Sequence, residues 1–129
     1  MKQSKLRPIS TKRAAQLVEY RKLIARLHAF NLESHMGYPV SEWTGKKPHL
    51  IVWHEEMFMW LVPHHIDGRR GERLLDPFNI ILITEQEHMG DNGIQKHNTW
   101  EAKQKLAEIV RPLRLAQGFR ENKEEAQND

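Results

Sequence analysis

From Val62 to His88 the chain reads VPHHIDGRRGERLLDPFNIILITEQEH, an order of residues that few folds accommodate. An aromatic and aliphatic stretch from Leu50 to Val62, carrying Trp53, Phe58 and Trp60, predicts a strand leading into His64 and His65, with Pro63 at an edge position. Gly68-Arg69-Arg70-Gly71 opens a polar loop reaching to Asp76-Pro77, and Phe78 to Ile83 reads as a second strand. Residues 84–90 then predict a short helix with Thr84 as its cap and Gly90 as its terminator. A loop of about a dozen residues inside a small hairpin needs a reason, and function is a common one. Asn79, at its far end, can tie such a loop shut through its side-chain amide.

Helices flank this hairpin. After Pro8, Leu17, Tyr20, Ile24 and Leu27 recur at helical spacing and predict a helix from about Thr11 to Phe30, with Ser10 or Thr11 as cap. A last helix is expected from Thr99 to Val110, with Asn98 and Glu101 at capping-box spacing and Pro112 ending or kinking it. The segment from Gly37 to Pro48 reads as loop or short strand, and Glu121 to Asp129 as a polar tail. The expected fold class is α+β, in a single domain over residues 1–129: a basic N-terminal helix (1–30), a hairpin-plus-helix core (50–97), a C-terminal helix (98–118) and the tail (119–129).

The net charge of +3 conceals an asymmetry. Residues 1–30 carry +7, including Lys12, Arg13, Lys22 and Arg26, whereas residues 31–100 carry −4. A basic end on a mildly acidic middle suits a polyanionic partner, although a solvated helix face would show the same excess. The absence of cysteine excludes disulfides, thiol catalysis and a Cys-ligated structural zinc, so the apolar core is expected to hold the domain together. No apolar run approaches the roughly 20 residues of a membrane span, and no secretory signal is recognisable, which predicts a cytoplasmic protein without a membrane partner.

The spacing of His64, His65, Asn79 and His88 resembles that of the HNH endonucleases, within the ββα-metal (His-Me finger) group. The H…N…H core spans about 25 residues and the likeness extends more weakly outward: small phage-type members often begin with a basic helix and carry HH…GR.G…LLD, as His64 to Asp76 does here. The resemblance implies a ββα-metal core in which His64 and His88 are metal ligands, His65 is the general base and Asn79 pins the loop. Two departures matter. Thr84 and Glu87 stand where many members place one of two zinc-binding Cys pairs, and the position four residues after the helix histidine is Asn92. Either Asn92 or His97 could complete the metal site, His97 being preferred because imidazole suits transition metals better.

These residue types fit phosphodiester hydrolysis. A neutral imidazole, with an unperturbed pKa of about 6.5, accepts a proton from water near neutral pH. One divalent ion, Mg²⁺, Mn²⁺, Ni²⁺, Co²⁺ or Zn²⁺, would relieve charge on the phosphate and the leaving oxygen. Arg69, Arg70 and Arg73 in the loop, with Lys12, Arg13, Lys22 and Arg26 on the first helix, are expected to contact the phosphate backbone of DNA. Expected, then, is a metal-dependent DNA endonuclease or nickase, acting alone or placed on DNA by a protein partner. A noncatalytic DNA- or protein-binding module and an RNase are the alternatives. The tryptophans are expected in the core, His28, His35 and His49 are expected to be ordinary polar residues, and His54 begins an HExxH-like string that is dismissed as a zinc-protease motif because Phe58 replaces its second His.

Overall fold

The computed structural model describes residues 11–54, 56–90 and 93–121. Ser10, Asn92 and the tail beyond residue 121 lie outside the described residues. The chain is mixed α and β. Its described elements are α1 (Thr11–Ser34), β1 (Val52–His54), β2 (Met57–Met59), β3 (Val62–His65), β4 (Ile80–Ile83), α2 (Glu85–Met89) and α3 (Trp100–Ala116).

The antiparallel pair β3–β4 is the centre. Its register sets Val62 opposite Ile83, His64 opposite Ile81 and His65 opposite Ile80. Ile80-Ile81-Leu82-Ile83 is apolar without alternation because both of its faces are covered. Ile80 and Leu82 pack with Tyr20, Ile24 and Leu27 of α1, while Ile81 and Ile83 pack with Leu106 and Val110 of α3. Each fully buried side chain of this size contributes about 1.5–3 kcal/mol relative to exposure. The same alternation sends the adjacent histidines to opposite faces: His65 shares its side with Ile80 and α1, His64 with Ile81 and α3.

Several expectations are corrected. The stretch from Leu50 to Val62 is not one strand but a separate hairpin, β1–β2, that reverses next to Glu56 at φ +64 before β3 begins. Trp53 and Phe58 face each other across it, exposed by 61% and 74%. Trp60 and Trp100 are exposed as well, and of the tryptophans Trp43 packs against the core. The residues between the histidines and Asn79 are not open loop; two 3₁₀ turns, Gly71–Leu75 and Pro77–Asn79, bury Leu74 against α1. Thr99, not Asn98, caps α3 by accepting from the Ala102 N–H at 3.1 Å. The helix also runs through Pro112, and Arg114, two residues on, anchors its end.

The core is not purely apolar either. Arg114 is fully buried and forms a two-pronged pair with Glu42 at 2.7 and 2.9 Å, while donating to the carbonyls of Pro77 and Ile80 at 2.9 and 2.8 Å. Glu42 in turn accepts the Leu82 N–H at 2.8 Å. The second buried carboxylate, Glu87, accepts from the hydroxyls of Ser41 and Thr44 and from the Thr84 N–H, completing a capping box on α2. Hydrogen bonds from Ser41 and Thr44 to Glu87 thus join the loop after α1 to α2.

Candidate active site

Asn79 shows how the site is held. Its side-chain oxygen accepts the Asp67 N–H at 2.8 Å, and its amide donates to the carbonyls of Gly68 (2.8 Å) and Arg73 (3.1 Å). Both ends of the loop between β3 and β4 therefore close on one buried amide. Asn79→Ala strands three backbone groups, at about 1–3 kcal/mol for each that stays dry. The expected result is a clearly lower urea midpoint, with backbone amide exchange rising first at Asp67. Exchange there as slow as in the parent would show that the loop closes without Asn79.

At the open end of β3 lies a cavity of about 350 Å³ walled by His54, His64, His65, Arg69, His88 and Gln95. A larger recess of about 850 Å³ runs between residues 46–50 and α2, but it gathers no such set of imidazoles. His64 and His88 meet edge to face with ring centroids 5.4 Å apart. His65 donates through Nε2 to the Leu74 carbonyl at 3.3 Å, since that oxygen only accepts, which leaves Nδ1 with the basic lone pair. Its ring stacks on Tyr20 at 5.7 Å, and the Arg69 guanidinium stands over the same tyrosine at 5.5 Å. Tyr20, expected simply as core, thus links α1 to both residues.

His64 and His88 are set up to be neutral. Burial, reinforced by the neighbouring His88, His65 and Lys103, pushes His64 down to about 4. Burial, and then the charge of His54, lowers His88. An unfolded His64 takes up its proton near 6.5 and the folded one near 4, so between these values the unfolded state binds more protons. The metal-free protein should therefore lose stability as pH falls from about 6.5 to 4, and His64→Gln should flatten that loss. Urea midpoints at pH 7 and pH 5 check it; parallel curves for parent and variant would refute the assignment.

Two nitrogens fit a metal ion. His64 Nε2 is buried with no hydrogen-bond partner, a costly arrangement unless something else meets it. His88 Nε2 accepts from the Gln95 amide at 3.0 Å, so its lone pair is on the nitrogen a cation would need. Among the described residues, however, no three His, Asp or Glu side chains are already gathered at ligand spacing. His97 ends a 3₁₀ turn, is exposed and does not line the cavity; Gln95 contacts His88, and His54 lies on the same cavity wall.

The expected phosphate contacts separate. Arg69 lines the cavity, Arg70 is exposed at the start of the first 3₁₀ turn, and Arg73 turns to Asp67 at 3.5 Å, where Lys103 also pairs at 3.4 Å. On α1, Lys12 and Arg13 are exposed, Lys22 pairs with Glu19 at 3.5 Å, and Arg26 lies over the Phe119 ring at 4.7 Å. Sequence reasoning missed His54 and Gln95. His54 had a faint signal, its two-residue offset from Val52, while nothing in the spacing of Gln95 pointed inward.

No family model, curated protein or solved structure gives a significant match to this chain. Among the described residues no helix is long and apolar enough to cross a membrane.

Proposed function

We propose that this protein is a metal-dependent endonuclease or nickase of the HNH type acting on DNA, with β3, β4 and α2 as its ββα-metal core. The single observation that carries the reading is the loop bound by Asn79 between a histidine pair and His88, which turns three imidazoles into one small cavity. His64 and His88 would hold one divalent ion, whose chemistry is to draw charge from a phosphate oxygen and the leaving oxygen. His65 Nδ1 takes a proton from water as the water oxygen attacks phosphorus and the P–O3′ bond breaks; the departing O3′ takes a proton from solvent, giving 5′-phosphate and 3′-hydroxyl ends. The Leu74 carbonyl and the Tyr20 ring hold that imidazole in one orientation. Arg69, on the wall of the cavity, binds the scissile phosphate or its neighbour.

The test is incubation of supercoiled plasmid with Mg²⁺, Mn²⁺, Ni²⁺ or EDTA. Ion-dependent nicked or linear product supports the reading. Tight DNA binding without conversion in any ion would instead support a noncatalytic binding module. Faster cleavage of RNA than DNA would change the substrate and keep the chemistry.

The basic helix supplies affinity without sequence readout. Replacing Lys12, Arg13, Lys22 and Arg26 together with alanine should weaken DNA binding and flatten its salt dependence, by about 0.9 in log–log slope for each phosphate no longer neutralised. An unchanged slope in a filter-binding series would return α1 to a solvated face.

A further inference from the structure

We infer that His54 is the third nitrogen donor of the metal site, joining His64 and His88, in the position that the sequence assigned to His97 or Asn92. The inference rests on the metal-dependent reading above and names a ligand that the H…N…H spacing does not contain.

The hairpin β1–β2 supports it first. Val52, Met57 and Met59 pack against the apolar cluster around α1, and the cross-strand register pairs Val52 with Met59 and His54 with Met57. With side chains alternating along a strand, His54 shares its face with Val52, away from the exposed Trp53 and Phe58. That face carries it to the wall of the cavity.

Elimination supports it next. Of the four imidazoles walling the cavity, His65 is held by the Leu74 carbonyl and by Tyr20. His97 lies outside the wall. His54, His64 and His88 remain, delivered by β1, β3 and α2. No three donors already stand at ligand spacing among the described residues, so binding an ion here would require the His54 ring to move toward His64 and His88 and the Gln95 amide to leave His88 Nε2. Three imidazoles favour Ni²⁺, Co²⁺ or Zn²⁺ over Mg²⁺.

Calorimetric titration of the metal-free full chain with Ni²⁺ tests this, with the visible absorption of added Co²⁺ as a second readout of nitrogen ligation. His54→Gln and His88→Ala should each weaken binding by at least the roughly 10–100-fold that losing even an outer-shell partner costs. His97→Gln should leave affinity as in the parent. His54→Asp, which restores a donor, should recover part of the affinity. Matching circular dichroism and urea midpoints for the metal-free variants show that the hairpin has not simply unfolded. Parent-like affinity in His54→Gln, or a loss in His97→Gln equal to that in His88→Ala, would overturn the inference while leaving the metal reading intact. A parent that binds neither ion would overturn both.

Discussion

His65→Ala is expected to lower the rate of DNA cleavage by at least about 10²–10⁴-fold, the usual contribution of a positioned general base, while leaving Ni²⁺ affinity close to that of the parent. The split between the two readouts follows from the register of β3. His64 and His65 are adjacent, yet one shares its side of the hairpin with Ile81 and α3 and the other with Ile80 and α1. Removing the His65 ring deletes Nδ1 and the stacking partner of Tyr20, but touches neither His64 Nε2 nor His88. In rate terms the loss corresponds to about 3–5 kcal/mol of transition-state stabilisation at 1.36 kcal/mol per factor of ten. His65→Gln separates chemistry from packing, since it fills part of the space without a basic nitrogen. If His65→Ala nicked plasmid as fast as the parent, water would be activated by another group. If it lost Ni²⁺ as well, His65 would belong to the metal site and the division of labour across β3 would be wrong.

What is legible in the sequence is what local chemistry determines. The unbroken apolar run of β4, the Thr84 cap of α2 and the histidine–asparagine spacing each have a short-range cause, and each stands near its expected place. The failures are tertiary. No glycine, proline or asparagine marks the reversal beside Glu56, so the aromatic stretch reads as one strand, although the chain turns there in a left-handed conformation. Trp53 reads as core by its apolarity, which cannot tell the inner face of a hairpin from its outer face when the hairpin itself is unseen. His97 reads as a ligand by its ring and its distance along the chain; the 3₁₀ turn that ends in it sets Gln95, not His97, on the cavity wall. A cysteine-free chain is expected to rely on apolar packing, yet the Glu87 cluster joins pieces more than 40 residues apart that no short-range pattern connects.

The pair Glu42–Arg114 is the extreme case, 72 residues apart and invisible to any local rule, and its loss should have the largest effect on stability. Arg114→Met keeps much of the volume but leaves the Glu42 carboxylate buried without its cation, and the carbonyls of Pro77 and Ile80 without their donor. Breaking one side of a buried pair costs about 3–5 kcal/mol, a large share of the roughly 5–15 kcal/mol typical of a whole domain. Thermal melting of Arg114→Met should therefore fall by about ten degrees or more. The double change with Glu42→Met removes the uncompensated charge, and such apolar replacements are often neutral. Here recovery should be partial, because the Leu82 N–H loses its acceptor and the two carbonyls stay unmet. Those carbonyls flank Asn79, so the recovered protein should still show faster exchange at the Asp67 amide, the far end of the loop. Full recovery of both melting temperature and exchange would mean that apolar packing alone sets this end of the core and that Arg114 does not support the loop.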